Sequence, residues 1–196
     1  MPQDRTISSI GPTFETERLL LRPTRAEDFE PWAAFAADDV AMRFLGGAQP
    51  RSVAWRGFLS TAGAWAIQGF GMFSAIEKTT GRWIGRVGPL KPEAWPGAEV
   101  GWGLAREAWG MGYATEAASA AMDWAFEELG WTQIVHCIDP GNLASQSVAK
   151  RLGSRLLRRG RLPPPYEADE VEIWGQGRDQ WRQGAAKRPT DAARRR

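Results

Sequence analysis

The chain has a single cysteine, Cys137, and a single histidine, His136. One thiol excludes an internal disulfide and a cysteine-based metal site, and one imidazole leaves zinc short of ligands, so no metal is expected. No stretch approaches the roughly 18 uncharged apolar residues of a transmembrane helix, and no membrane partner is expected. The opening MPQDRTISSIGPTFETER lacks the apolar segment of a secretory signal, which makes the cytoplasm the expected compartment. What is present is ordinary for a soluble globular protein: 43% hydrophobic and 24% charged residues over 196 positions. A chain of that size buries roughly 70% of its unfolded surface, enough for one self-sufficient core. Tryptophan alone is abundant, at 11 residues.

The isoelectric point near 9.0 suggests nucleic acid until the charge is partitioned. Residues 177–196 carry seven basic side chains (Arg178, Arg182, Lys187, Arg188, Arg194, Arg195, Arg196) against Asp179 and Asp191, a balance of +5, and the remainder sums to −3. The basicity therefore belongs to the end of the chain. It predicts a solvated tail, with RNA or an acidic partner reachable through that tail alone.

Residues 1–14 read as an arm, 15–176 as one domain and 177–196 as a basic, flexible tail. Within the domain, 16–23 (TERLLLRP) reads as a strand ended by proline, and Thr24 is placed to cap a helix over 25–37 on which Phe29, Trp32, Ala33 and Ala36 recur at helical spacing. A second helix is expected over 52–67, then a hairpin of 72–78 and 83–90 around Thr79-Thr80-Gly81, then a strand over 98–105. A helix over 112–129, with alanines along one face, is closed by Gly130. A strand at 131–138, an Asp-Pro-Gly turn, a helix at 142–152 and strands near 154–159 and 170–175 complete an α/β order with a mixed sheet.

The segment 102–118, WGLAREAWGMGYATEAA, carries the chemistry. A strand runs into a loop with Gly110 and Gly112 and then directly into a helix. Loop glycines admit a ligand to the backbone, and the free N–H groups of a first helical turn attract an anion. The GKS/T ending of a Walker loop and the glycine spacing of a Rossmann turn are both absent. From the loop alone, a pyrophosphate cradle and a plain tight turn remain equally open.

In context, Trp109-Gly110-Met111-Gly112-Tyr113-Ala114 resembles the Q/R-x-x-G-x-G/A acetyl-CoA motif of the GNAT N-acetyltransferase superfamily, with Trp in the first position as in its RimJ/RimL-like ribosomal-protein branch (WGxGYATEA). ETERLLLRP at 15–23, AEVGWGL at 98–104 and NLASQSVAKRLG at 142–153 resemble further segments of that branch, in order. The resemblance implies a mostly antiparallel mixed sheet, with helices on both faces and its fourth and fifth strands (98–105 and 131–138) splayed apart. It implies that acetyl-CoA lies in the gap, its pantetheine on main-chain groups of Trp102 and Leu104 and on Asn142, and its pyrophosphate on N–H groups from Gly110 to Ala114.

Acyl transfer to an amine needs a neutral amine, an oxyanion donor and a proton for the leaving thiolate. An α-amine near pKa 8 is roughly 10% neutral at pH 7, a lysine amine only about 0.04%. Glu99 is the first candidate base, acting through water, and reads rather more readily as a solvated strand carboxylate or a partner for an arginine. Asp139 is expected to make the turn and His136 to be packed. The tyrosine acid common in the family is absent, Ala149 standing there, and Ser145 is the candidate substitute, followed by Ser147. Asn142 and Ser145 also read as a capping pair. Cys137 lacks the partners of a nucleophile. Of tryptophans 32, 55, 65, 95 and 102, most are expected in the core and some along an acceptor pocket. The arginines at 155, 158, 159 and 161 read as a solvated strand face before they read as a draw for an acidic acceptor or a CoA phosphate.

These readings converge on an acyltransferase that moves acetyl from acetyl-CoA to a primary amine, a small molecule or a protein N-terminus, by direct attack in a ternary complex. The alternative is a CoA-binding module without turnover. The acceptor is not named by the sequence, and a homodimer stays open.

Overall fold

A computed structural model describes residues 10–168 and 170–184. The elements follow in order: strand β1 (Phe14–Glu15), β2 (Leu19–Pro23), helix α1 (Phe29–Ala37), α2 (Arg51–Gln68), β3 (Phe73–Glu77), β4 (Trp83–Leu90), β5 (Glu99–Leu104), α3 (Tyr113–Glu127), β6 (Gln133–Ile138), α4 (Leu143–Arg151), β7 (Arg155–Arg161), β8 (Glu170–Gly177) and α5 (Arg178–Gln183). The two-residue β1 moves the strand count by one, so the fourth and fifth strands of the sequence reading are β5 and β6. The eight strands form one sheet in the order β1-β2-β3-β4-β5-β6-β8-β7, all antiparallel except β5 with β6.

Helices cover both faces. On one, α3 lays Ala117, Ala118, Ala121, Met122 and Ala125 against Ile84, Val87, Val100 and Leu104; its small side chains let the helix lie close to the sheet. On the other, α1 packs Trp32, Ala33 and Ala36 against Trp83 and Ile76. The long helix α2 serves both cores, Trp65 entering the first and Phe58 the second. Thr24 caps nothing: the turn before α1 is closed by Asp28, whose carboxylate accepts from the Arg25 N–H and pairs with the buried Arg22.

One expectation is corrected outright. The chain is still packed beyond position 176: β8 runs to Gly177, and α5 places Trp181 in the main core at 2% exposure, its indole donating to Asp123 at 2.7 Å. A six-residue helix is too short to display an apolar period, which is why the sequence read as tail. Residues 185–196 and 1–9 lie outside the described residues.

Candidate active site

The β5–β6 junction defines the site. Side chains and main-chain groups alternate along a strand, so Ala98, Val100, Trp102 and Leu104 turn their N–H and C=O toward β6. Only the start of this ladder closes. The N–H of Val135 donates to the Ala98 carbonyl at 2.9 Å, and the register pairs Glu99 with Val135 and stops. Beyond that point the strands part and side chains take over the exposed main chain. His136 Nδ1 lies 2.6 Å from the Val100 carbonyl, and the indole of Trp109 donates to the Leu104 carbonyl at 2.8 Å. From β6, the Cys137 N–H donates to Glu99 Oε1 at 3.2 Å. The main-chain groups of Trp102, between these two, face the gap.

The gap opens into a cleft of about 940 Å³. Its walls are Trp102, Gly103 and Leu104 of β5, the loop and first turn at Trp109, Gly110, Gly112, Tyr113 and Ala114, the α4 side with Asn142, Ser145 and Ser147, and Phe44 and Leu45 from the α1–α2 connection. Arg43 and Arg151 bring positive charge to it. Of the eleven residues singled out from sequence, the cleft assembles nine; Met111 and Glu99 stand apart from its wall. The Met111 side chain is 50% exposed, and only its carbonyl is engaged, by Arg18.

The glycine loop has two special backbone positions. Gly110 has φ +75°, and Gly112, the N-cap of α3, has φ +82°, both in the region that side chains other than glycine rarely enter. Sequence reasoning missed what holds the loop. Arg18 donates to the Met111 carbonyl at 2.8 Å, pairs with Glu116 in the first turns of α3 at 2.6 Å, and lies over the Tyr113 ring at 4.4 Å. The Arg18 N–H and the Thr16 hydroxyl also donate to Glu116. Tyr113 donates to the buried Glu77 at 2.6 Å; the Thr80 hydroxyl first, and Tyr113 after it, hold that carboxylate below its usual range. No local motif marks such a pair: Arg18 and Glu116 are 98 positions apart.

Around the chemistry, Asn142 caps α4 by accepting from the Ser145 N–H at 3.0 Å, as the sequence suggested, which leaves its side-chain amide donors to the cleft. The Ser145 hydroxyl accepts from the Trp102 indole at 3.1 Å, and its own proton is committed to no described residue. Glu99 is buried where the strands begin to separate. Oε1 accepts from Cys137 and Oε2 from the Trp95 indole, and burial raises its pKa against those hydrogen bonds. His136 is fully packed. The Val100 carbonyl can only accept, so Nδ1 carries the proton and Nε2 accepts from Ser154 at 3.0 Å; burial lowers the imidazole to about 4. Burial and the neighbouring Glu99 push the Cys137 thiol far up, which removes it as a nucleophile. Asp139 makes the turn, accepting from the Gly141 N–H. Among the described residues no cluster of three metal-ligating side chains occurs, and no helix is long and apolar enough to cross a membrane.

A parted pair of parallel strands, a glycine loop and a helix N-terminus meet on one cleft. A model of the acetyltransferase (GNAT) domain family matches residues 18–155. The chain belongs to the GNAT acetyltransferases. It is similar to an acetyltransferase of Agrobacterium tumefaciens, with TM-score 0.74 and 32% identity, the match covering 85% of this chain and 95% of that one. It is 29% identical to the uncharacterized N-acetyltransferase p20 of Bacillus licheniformis over 79% of this chain and 87% of that protein. It is 38% identical to the uncharacterized protein YkkB of Bacillus subtilis over 48% of its own length, spanning 58% of that relative. The fold is shared with Mycobacterium smegmatis RimJ, solved in complex with CoA-disulfide (TM-score 0.65, 19% identity, 86% of this chain and 88% of that one). The chain is thus an acyltransferase of a family that uses acetyl-CoA.

Proposed function

We propose that this enzyme transfers acetyl from acetyl-CoA to a primary amine by direct attack in a ternary complex. The observation that carries the reading is the Trp102 main chain, turned to a gap where the strand partner is missing and continuous with the glycine loop. That surface fits an extended amide chain followed by a pyrophosphate. Trp102 and Leu104 would hold the pantetheine with Asn142, and N–H groups from Trp109 through Gly110, Met111, Gly112 and Tyr113 to Ala114 the phosphates, with Arg43 and Arg151 nearby. Acetyl-CoA supplies the thioester carbonyl. Glu99 acts as base through water, favoured by its raised proton affinity, and Ser145 as proton donor to the departing sulfur, favoured by its uncommitted hydroxyl. A CoA-type thiol, near pKa 8.5, needs little help to leave, so a weak acid suffices.

Membership in the RimJ/RimL-like branch is part of the proposal. It is supported by WGMGYATEA at 109–117 and by the fold shared with RimJ and with a ribosomal-protein-serine acetyltransferase from Vibrio cholerae (TM-score 0.70, 20% identity). The test is thiol release from acetyl-CoA against a panel of α-amines, lysine amines and small amines. The reading expects amine-dependent release, α-amines favoured near pH 7. CoA binding without release for any amine would instead identify a binding module.

A further inference from the structure

Among the described residues, Arg22 and Arg86 lay their guanidinium groups against the sheet and fare differently, Arg22 buried and Arg86 half-buried. Arg22 is fully answered, its two terminal nitrogens bonding Asp28 at 2.7 and 2.8 Å. Arg86, on β4, makes no hydrogen bond or ion pair with any described residue, and its Nε is cut off from solvent without a partner. Its guanidinium lies 4.9 Å over the Trp32 ring, which supplies attraction but accepts no directed hydrogen bond, and burial pulls its pKa below the ordinary value, charge interaction with Tyr166 opposing. Leaving a buried donor unmade costs about 1–3 kcal/mol, more when it is charged. Among the described residues the Thr115 hydroxyl and Arg86 Nε both carry that cost, and at only one place, Arg86, is the group charged.

That place adjoins the cleft. Arg86 pairs in register with Gly103, which lines the cleft, and a Cβ on Gly103 would stand 3.9 Å from Arg86 Nε. Glu99, Gly101 and Gly103 share one face of β5 by the two-residue period, so Arg86 and the candidate base lie along the same side of the same strand pair. Four residues of strand separate their levels, about 13 Å. The opposite side, toward α3, is filled by core. Glu99 and Arg86 thus stand outside the cleft wall but along one side of the strand pair that borders it, a carboxylate at one end and an unanswered planar cation at the other.

We propose that Arg86 reads the acceptor, and that the amine acetylated by this enzyme is a small molecule carrying a carboxylate. The guanidinium fork matches the two oxygens of a carboxylate in plane, and such charge-assisted bonds are roughly twice as strong as neutral ones. The assignment rests on the acetyltransferase reading and gives it a substrate class.

The test compares glycine, β-alanine and γ-aminobutyrate with their amides, and O-phosphoethanolamine with ethanolamine, as acceptors for wild type, Arg86→Gln and Arg86→Lys. Thermal shift with CoA is run alongside. At least one carboxylate amine is expected to exceed its amide tenfold or more in kcat/KM. That ratio should fall to near one in Arg86→Gln and to an intermediate value in Arg86→Lys, which keeps the charge without the fork, and CoA should still raise the melting temperature of each. Arg86→Lys carries the comparison if Arg86→Gln does not fold. Equal use of acids and amides by wild type, a preference that survives the substitutions, preference for the phosphoamine, or CoA binding with none of these amines acetylated would each overturn the assignment. Loss of CoA binding in wild type would instead overturn the acetyltransferase reading beneath it.

Discussion

Glu99 and His136, side by side where β5 and β6 part, are displaced in opposite directions by the same cause, since burial penalises the charged form of each. For His136 the folded value of about 4 lies below the unfolded value near 6.5, so the unfolded chain binds more protons between them. Stability is fully present above about pH 6.5 and declines as the pH falls toward 4, by about 3 kcal/mol in all. The carboxylates held below their usual range, Glu77 among them, add their own loss only below about pH 4.5. Melting temperature should therefore drop between pH 6.5 and 4.5 in wild type and much less in His136→Gln; parallel declines would contradict the buried neutral imidazole. Glu99 has the reverse sign. Its raised folded value makes the ionised form a cost once the pH exceeds the unfolded value near 4.5, so Glu99→Gln should hold or raise stability at pH 7. If Glu99 is the base, the variant's deficit in kcat/KM closes as the pH rises through the acceptor amine's own pKa, because a neutral amine needs no base. A deficit of equal size at every pH would leave Glu99 only its bonds to Trp95 and Cys137.

At the scale of elements, the periodic parts were legible and the short or long-range parts were not. The alanine face of α3, the hairpin of β3 and β4 and the glycine loop each announce themselves within twenty residues, and the Asn142 cap within three. The Arg18–Glu116 clasp and the solitary Arg86 depend on pairs far apart in sequence, or on the want of one, which no local pattern records. The arginines of β7 were read correctly as a solvated face: Arg159 meets Glu172 at 3.5 Å, Arg158 the Pro96 carbonyl, and none of the four lines the cleft. Helix α5 was missed because one buried tryptophan makes no period. Burying an indole of that size in a close-packed core is worth about 3–5 kcal/mol against its removal. A chain ended at residue 176 should thus melt roughly 6–20 °C below one ended at 184, by scanning calorimetry. Equal melting would show that Trp181 adds nothing to the core.

For the molecule as a whole, the sheet is continuous except at the junction of β5 and β6. Seven junctions join eight strands, and the parallel one closes at a single register pair before opening into the cleft. The cores on either face hold the two halves of the sheet in place. The gap is therefore a fixed feature of the fold, and a ligand seated there should stabilise the whole domain. The direct measurement is the CoA-induced shift in melting temperature for wild type, Gly112→Asp and Gly81→Asp. The two glycines have similar positive φ, +82° and +69°, so backbone strain is matched, but Gly81 lies in the hairpin turn with nothing within 4 Å of its Cβ position. At 100 times its dissociation constant CoA should add about 2.7 kcal/mol to wild type and to Gly81→Asp, several degrees for a domain of this size. Gly112→Asp, a negative charge set against the phosphates, should lose at least about tenfold in affinity, roughly 1.4 kcal/mol. A folded Gly112→Asp protein that CoA stabilises as it does wild type would place the cofactor outside the gap and contradict the account.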